Sequence, residues 1–397
     1  MKYWLNENIL ITFGKIKSVI YNLNGEFVKI IWNSEEQTKE ILEFLETKKE
    51  SEYISALIDA DLISINKVQQ IQESSKIVNL QRFNFAWIEI TNTCNYKCLH
   101  CYGSFSPNKL EEMNLDDIKL ITKELKTLNI NNVQVIGGEP FSLERNKLKE
   151  ILTYLVGNFK VVEVYTNASF LDKDWLEFIK ANNLKISISL YHHTNEIHNK
   201  ITQNSSSFDT VKNSIKLLEE FDINYRVGYT KTKFNKSSSI KLLTNNLGIK
   251  KDSVIKIDAM RITGRGSKNL IDSEIIDEKS ITLNTFTKLK IKSNNVKNNL
   301  NHHNCFSTKF YIDVELNILP CVMERRISYG NLKTTNLKNM LGNQGEVINL
   351  TKSDIESCNE CEFRFGCFDC RPDTLSKNFK AKPYYCKYEP SKGKWND

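Results

Sequence analysis

The fold of this chain follows from one stretch, Thr93-Cys94-Asn95-Tyr96-Lys97-Cys98-Leu99-His100-Cys101-Tyr102. Its cysteines have the spacing Cys-x3-Cys-x2-Cys, which lets a short loop place three thiolates around a cubane iron-sulfur cluster. One iron then has no protein ligand and is open to a substrate. The spacing therefore predicts a reactive cluster held by Cys94, Cys98 and Cys101.

The loop lies between an apolar predicted strand, Phe85 to Ile90, and the aromatic residue Tyr102. In this setting it resembles the signature loop of the radical S-adenosylmethionine (radical SAM) superfamily. The resemblance implies that the open iron chelates the methionine end of SAM, and that an electron from the cluster cleaves SAM to a 5'-deoxyadenosyl radical. A zinc knuckle or redox pair is the alternative, although structural zinc takes four protein ligands and no fourth cysteine or close histidine pair accompanies the triad.

Length and composition predict an ordinary intracellular protein. The 397 residues suggest two or three domains, and 40% of them are hydrophobic. No apolar stretch is long enough to span a bilayer and the polar start is not a signal peptide, so we expect a cytoplasmic protein without a membrane partner. Ten cysteines in such a chain indicate metal ligation or redox chemistry rather than disulfides.

The charge is unevenly distributed. The net formal charge is +7, and residues 231–300 carry 15 basic against 6 acidic side chains, whereas residues 1–80 carry 9 lysines against 12 acidic side chains. The basic stretch is either a site for an anionic partner, such as an acidic peptide, or a solvated lysine-rich surface. No aromatic-interleaved basic patch is present, so we expect no nucleic-acid partner.

Residues 1–80 predict a small winged-helix-like α/β module. The expected strands are Ile9 to Phe13, Ser18 to Asn22 and Phe27 to Trp32, followed by about three helices, the first of them capped by Ser34. In peptide-modifying systems this layout resembles the element that binds the leader of a precursor peptide as an added strand at a sheet edge. A merely structural module is the alternative.

Residues 83–295 alternate strands and helices with a period near thirty residues. Six successive β-α units imply parallel strands with right-handed crossovers, and so an α/β fold with a partial (β/α)6 barrel, which the radical SAM resemblance also implies. Functional residues are expected at the carboxyl ends of the strands. The predicted strands are Phe85 to Ile90, Val133 to Ile136, Val161 to Tyr165, Ile186 to Leu190, Tyr225 to Tyr229 and Val254 to Ile257.

The second motif is Gly137-Gly138-Glu139-Pro140, directly after the second of these strands. Paired glycines are expected to let the backbone approach a ligand with its amides and carbonyls exposed, and Pro140 fixes the turn. The glutamate can accept a hydrogen bond from an ammonium group. The resemblance implies that this GGEP segment contacts the amino group of SAM.

Further SAM contacts are implied at other strand ends. The resemblance implies Tyr102 beside the adenine, and Thr166, Asn167 and Ser189 along the ribose and carboxylate. As an alternative, each of these residues has only a structural role in a turn or as an N-cap. Many relatives also carry an arginine where this chain has His198 to Thr202, so the SAM carboxylate needs another donor. Arg226 and Arg261 are the two candidates, and the segment from Arg261 to Gly266 is alternatively only a basic turn.

The other seven cysteines lie in residues 296–397 and resemble the SPASM extension of radical SAM peptide maturases, which holds two auxiliary clusters. Two departures, Leu316 in place of a glycine and an x2 rather than an x3 spacing in the last close pair, remove no ligand. The resemblance implies one cluster on Cys358, Cys361, Cys367 and Cys386 and another on Cys305, Cys321 and Cys370. With the first triad this makes three 4Fe-4S clusters and uses all ten cysteines. The last set leaves one iron unassigned, for which His302 and His303 are candidates, and zinc binding is the alternative.

These features predict a radical SAM/SPASM maturase that modifies a ribosomally synthesised precursor peptide, with flavodoxin or ferredoxin as external reductant. Oxidative crosslinking is favoured, because auxiliary clusters can take up an electron and no cysteine is left over as the hydrogen donor that an epimerase needs. Sulfatase-type maturation is the other enzyme alternative, but Cys321 is followed by Val322 rather than by a basic aspartate, and Glu324 is a weak candidate for the base. A peptide-binding iron-sulfur or zinc scaffold is the non-enzyme alternative.

Overall fold

The computed structural model describes residues 1–72, 77–250, 253–288, 290–374, 376 and 378–396. They divide into two compact units. The terminal unit comprises Met1–Val78, Ser280–Ser307 and Gly345–Asp397, and the central unit comprises Asn79–Lys279 and Thr308–Gln344. This grouping differs from a division at 1–80, 83–295 and 296–397, because apolar residues from both ends of the chain, among them Tyr21 and Phe365, share one core.

The elements follow one another in this order along the described residues. The strands are β1 Lys2–Asn6, β2 Ile9–Phe13, β3 Ser18–Asn22, β4 Lys29–Asn33, β5 Gln69–Gln70, β6 Phe85–Thr91, β7 Asn132–Gly137, β8 Val161–Thr166, β9 Lys185–Leu190, β10 Tyr225–Lys231, β11 Val254–Ala259, β12 Lys309–Ile312, β13 Asn317–Leu319, β14 Gly330–Asn331, β15 Tyr388–Glu389 and β16 Lys394–Trp395. The helices are α1 Glu35–Thr47, α2 Glu52–Asp59, α3 Leu115–Thr127, α4 Arg145–Asn158, α5 Lys173–Ala181, α6 Asn195–Thr202, α7 Ser207–Glu220, α8 Ile240–Leu247, α9 Ser273–Lys279, α10 Leu283–Lys288, α11 Ser293–Asn299, α12 Leu337–Gly342 and α13 Gly345–Ile348.

The terminal unit contains an antiparallel sheet in the order β4-β3-β2-β1-β5. Strands β2 and β3 have the predicted bounds, and Ser34 caps α1 through a capping box with Gln37. The expectation of three strands and about three helices is wrong, because five strands and two helices are found up to residue 72 of the described chain. The added strands β1 and β5 pair with each other through Tyr3–Gln70 and Trp4–Gln69.

The central unit contains a sheet in the order β11-β10-β9-β8-β7-β6-β12-β13-β14. Strands β6 to β11 are parallel and neighbours in chain order, which confirms the predicted succession of β-α units. Strand β12 extends the sheet parallel to β6, and β13 and β14 add antiparallel strands. The cysteine loop, the GGEP segment and Asn167 therefore follow three adjacent parallel strands, whose carboxyl ends meet at one edge of the sheet.

No helix in the described ranges combines the length and the apolar character needed to cross a bilayer.

Candidate active site

A cavity of about 450 Å³ lies within the central unit and reaches the carboxyl ends of its parallel strands. Its size is that of a small-molecule site. Most of the residues predicted to bind the cluster or SAM line it, namely Cys94, Cys98, Cys101, Tyr102, Gly137, Gly138, Thr166, Asn167, Ser189, Arg226 and Arg261. The fold thus brings together side chains that are spread over more than 160 residues of sequence.

The three thiols of the cysteine loop share this cavity. Burial raises the pKa of Cys94 to about 12 and raises the pKa of Cys98 well above its usual range. Thiolates at these positions therefore need a positive partner such as a bound metal cluster. In the described ranges, no group of three or more His, Cys, Asp or Glu side chains is arranged so that it could hold a single metal ion. A set of three cysteine sulfurs matches the soft ligands that iron-sulfur clusters take.

The GGEP segment packs against the backbone that leads into the cysteine loop. Gly138 N–H donates to the carbonyl oxygen of Thr91 and Glu139 N–H to that of Thr93, both at 2.8 Å. A Cβ atom at Gly138 would overlap the Thr93 carbonyl. The expectation of exposed amides is therefore wrong for Gly138 and Glu139, where the glycines permit a close approach of two chain segments. Gly137 and Gly138 themselves line the cavity, and the contact of their carbonyls with a ligand stays a prediction.

Glu139 connects the end of β7 to the end of β8 through side-chain hydrogen bonds. Its buried carboxylate accepts hydrogen bonds from Thr166 Oγ1 at 2.6 Å, Asn167 N–H at 2.7 Å and Phe141 N–H at 3.1 Å. Burial raises the pKa of Glu139 to about 7, although these hydrogen bonds favour the ionised form. Neither Glu139 nor Pro140 is among the residues that line the cavity. A contact between Glu139 and the SAM amino group stays a prediction.

The two arginines considered for the SAM carboxylate both have partners. Arg226 forms an ion pair with Glu163 on the cavity wall, and Arg261 donates to Asp258 Oδ1 at 3.0 Å and to the carbonyl oxygen of Ala259. A third arginine of the cavity, Arg265, contacts the cysteine loop directly. Sequence reasoning treated Arg265 as part of a basic turn, and only the fold reveals its neighbours.

Two further residues in or near the cavity, Tyr165 and Glu89, were not predicted from the sequence. Tyr165 lies on the cavity wall at the end of β8, and alternation along this strand from Glu163 is the signal that points to it. Glu89 on β6 is buried and accepts a hydrogen bond from the hydroxyl of Tyr311, which in turn accepts from Arg325 at 3.0 Å. Burial raises the pKa of Glu89 to about 7, opposed by these two neighbours.

Glu324, the candidate base, is buried and paired with Arg326, whose Nε donates to it at 2.8 Å. It does not line the cavity, whereas Val322 and Met323 do. Its role as a base stays a prediction.

In the terminal unit, the four cysteines predicted to bind one auxiliary cluster line a single small cavity: Cys358, Cys361, Cys367 and Cys386. Three cationic side chains line the same cavity, namely Lys352, Arg364 and Lys382. Lys352 Nζ lies 3.8 Å from the sulfur of Cys367 and 3.0 Å from Asp369 Oδ1. Four thiolates with a cationic surround fit an iron-sulfur cluster, because the cations offset its negative charge.

The remaining predicted cluster ligands are three cysteines and two candidate histidines. Cys305 and Cys370 belong to the terminal unit and Cys321 to the central unit, so their assignment to one cluster stays a prediction. The imidazole of His303 contacts Asp369 at 2.5 Å and that of His302 contacts Ser307 Oγ at 2.7 Å. The side chains of both histidines are therefore already in contact with polar groups of this chain.

Comparison with known proteins gives one family match and several relatives. Residues 88–232 match the Radical SAM superfamily. The antilisterial bacteriocin subtilosin biosynthesis protein AlbA of Bacillus subtilis is 34% identical over 144 residues, which are 36% of this chain and 32% of AlbA. A Probable GTP 3',8-cyclase of Saccharolobus islandicus is 27% identical over 195 residues, 48% of this chain and 62% of the cyclase. The chain thus spans about a third of AlbA and less than two thirds of the cyclase.

Among solved structures, Streptococcus suis SuiB superposes with a TM-score of 0.61 at 14% identity, covering 97% of this chain and 100% of SuiB. SuiB bound to its precursor peptide SuiA gives a TM-score of 0.58, covering 96% of this chain and 98% of SuiB at 15% identity. At this identity the likeness shows the fold alone. The match to the Radical SAM superfamily over residues 88–232 lies within the central unit, and so does the cavity that the cysteine loop lines.

Proposed function

We propose that the protein is a radical SAM maturase that modifies a ribosomally synthesised precursor peptide. The observation that carries the proposal is the cavity that holds Cys94, Cys98 and Cys101 together with the glycines of the GGEP segment. The likeness to AlbA, a bacteriocin biosynthesis protein, and the fold shared with SuiB, which binds the precursor SuiA, support a peptide substrate.

Cys94, Cys98 and Cys101 would hold an iron-sulfur cluster, which when bound would supply the electron for the reductive cleavage of SAM to a 5'-deoxyadenosyl radical. The residues of the chain bind and orient the reactants. The cysteine loop holds the cluster, Tyr102 offers an aromatic edge, and Thr166, Asn167 and Ser189 line the cavity for the polar parts of SAM.

We propose that the reaction is oxidative and forms a crosslink in the peptide. Such a reaction leaves an electron to be removed, and the cation-lined cavity of Cys358, Cys361, Cys367 and Cys386 suits an auxiliary cluster that receives it. The proposal includes three 4Fe-4S clusters, reduced by flavodoxin or ferredoxin in the cytoplasm, where thiols stay reduced.

We further propose that the terminal unit binds the leader of the precursor. In the described residues, the two edge strands of this sheet are β4, with five residues, and β5, with two. Beside β5, the edge of β1 also accepts hydrogen bonds from Ile71 N–H at Lys2 and from Ser64 N–H at Leu5. Just before β4, Val28 N–H donates to the carbonyl oxygen of Ile291, but among the described residues no strand pairs with the outer side of Lys29–Asn33. Strand β4 therefore offers an extended peptide the longer free edge on which to add a strand.

Coexpression with a candidate precursor peptide, encoded by a small neighbouring open reading frame, followed by mass spectrometry of the peptide, tests the reaction. A peptide lighter by two hydrogen atoms is expected for a crosslink. An unchanged mass with an inverted stereocentre would identify an epimerase, and conversion of a serine or cysteine to formylglycine would identify a sulfatase-type maturase. An unmodified peptide that still binds would indicate the scaffold alternative.

A further inference from the structure

Arg265 is attached to the cysteine loop at two points. Its Nε donates to the carbonyl oxygen of Cys98 at 2.8 Å, and its backbone N–H donates to that of Cys101 at 2.9 Å. Arg265 and Cys98 are 167 residues apart in sequence. The fold therefore brings the segment after β11 onto the loop that carries the predicted cluster.

The preceding residue permits this contact. Gly264 has a φ of +57°, and a Cβ atom there would overlap the carbonyl oxygens of Cys101 and Tyr102. Only glycine adopts this conformation so close to the loop without strain. The segment is thus fitted to the cysteine loop and is more than a solvated basic turn.

The guanidinium has one donor that the protein leaves unused. Nη2 of Arg265 is buried, and no acceptor for it exists among the described residues. A buried cationic donor without an acceptor is unfavourable, so the arrangement calls for an anion from outside the chain. Arg265 lines the same cavity as the three thiols.

The other two arginines of the cavity are less suited to this task. The Nε and Nη2 edge of Arg226 is taken by both carboxylate oxygens of Glu163. Nη2 of Arg261 donates to Asp258 Oδ1, and Nη1 of Arg261 donates to the carbonyl oxygen of Ala259. An incoming anion would have to displace these partners, whereas Nη2 of Arg265 has no acceptor among the described residues that an anion would displace.

We infer that Arg265 binds the anionic centre of the radical-generating site through Nη2. The acceptor is either a sulfur of the cluster on Cys94, Cys98 and Cys101 or the carboxylate of the SAM that the cluster binds. Both are anions that accept a charge-assisted N–H hydrogen bond. The inference rests on the proposed function, since it needs a cluster in this loop.

The test compares reconstituted full-length wild type with Arg265→Gln and Arg265→Lys. Arg145→Gln is the matched control, because Arg145 is an exposed arginine of the same unit, paired with Asp172 and Asp174 outside the cavity. Two quantities are measured: the midpoint potential of the cluster whose electron paramagnetic resonance signal responds to SAM, and the dissociation constant of SAM. Decarboxylated SAM serves as the second ligand.

A sulfur acceptor predicts a more negative midpoint potential in Arg265→Gln before SAM is added, because a positive charge near the cluster favours its reduced form. A carboxylate acceptor predicts SAM binding weakened by roughly tenfold to a hundredfold, a loss that a sulfur acceptor does not predict. Decarboxylated SAM would then bind Arg265→Gln and wild type alike. Arg265→Lys, which keeps the charge, should shift less than Arg265→Gln in either case.

The inference is overturned if Arg265→Gln has the potential and SAM affinity of wild type and Arg145→Gln. If Arg265→Gln retains no iron, the comparison of Arg265→Lys with wild type decides, because loss of the planar fork alone should still weaken the bond. An identical potential and SAM affinity in Arg265→Lys would then contradict it. A wild type without any SAM-responsive cluster signal would instead contradict the proposed function itself.

Discussion

The guanidinium of Arg226 is held on one edge by the carboxylate of Glu163, with Nε 2.6 Å from Oε1 and Nη2 2.9 Å from Oε2. Gln134 and Ser187 donate to the same carboxylate, and Trp87 Nε1 donates to Gln134 at 2.8 Å. The network therefore crosses strands β6 to β10 on the face that lines the cavity. It gives the cavity a fixed polar wall.

Arg226→Gln should destabilise the central unit. Burial raises the pKa of Glu163, but the bonds from Arg226 and its neighbours outweigh burial and lower it, so loss of Arg226 leaves a partly buried carboxylate short of its cation. We expect the free energy of unfolding, measured with urea, to fall by roughly 2–3 kcal/mol. The double variant with Glu163→Gln should lose less than the sum of the single variants. Additive losses would show that the pair is not coupled.

Glu89→Gln should flatten the pH dependence of stability. Burial raises the pKa of Glu89 from 4.5 to about 7, so between these values unfolding releases a proton and stability falls as pH rises, by at most about 1.4 kcal/mol per pH unit. The contribution is fully present below pH 4.5 and lost above pH 7. Urea titrations between pH 5 and pH 8 should show a shallower decline in Glu89→Gln. Parallel curves for the two proteins would contradict the assignment.

Lys352→Met should make the auxiliary cluster of the terminal unit harder to reduce. The ammonium group of Lys352 is buried 3.8 Å from the sulfur of Cys367, and its removal leaves the cluster environment more negative. A redox titration followed by electron paramagnetic resonance should show a more negative potential. Lys49→Met, which removes an exposed lysine paired with Glu43 in the same unit, should leave the potential in place. A shift common to both variants would argue against a local effect.

Precursor peptide should protect the amides of β4 from hydrogen exchange. A strand added beside β4 would pair with the outward N–H groups of Lys29–Asn33, while β5, the other edge strand, should exchange as before. Protection confined to β5, or none in this sheet, would exclude β4 as the leader site.

Local pattern predicted the strands well. Ile9–Phe13 and Ser18–Asn22 have the predicted bounds because dense β-branched and aromatic residues are bounded by turn residues. Strand β1, Lys2-Tyr3-Trp4-Leu5-Asn6, was not predicted although Tyr3 and Trp4 favour a strand, and its pairing with β2 and β5 is seen only in the fold. Tertiary pairing of this kind is not encoded in local composition.

The candidate site was predicted in its ligands but not in their surroundings. The motif around Cys94 and the GGEP segment mark the cavity, and the structure places both there or beside it. The partners of Glu139 and Arg265 come from other strand ends, far away in sequence, so no spacing rule reveals them. The exposed amides expected after β7 are instead bonded to Thr91 and Thr93.

The central claim is that Cys94, Cys98 and Cys101 hold a cluster that cleaves SAM. Its most direct test is the formation of 5'-deoxyadenosine by reduced, reconstituted protein, measured by chromatography and mass spectrometry. Wild type should release 5'-deoxyadenosine from SAM, and the triple variant of these cysteines to alanine should release none while keeping the iron of the terminal unit. A wild type that holds its iron, binds SAM and yields no 5'-deoxyadenosine under reducing conditions would contradict the account.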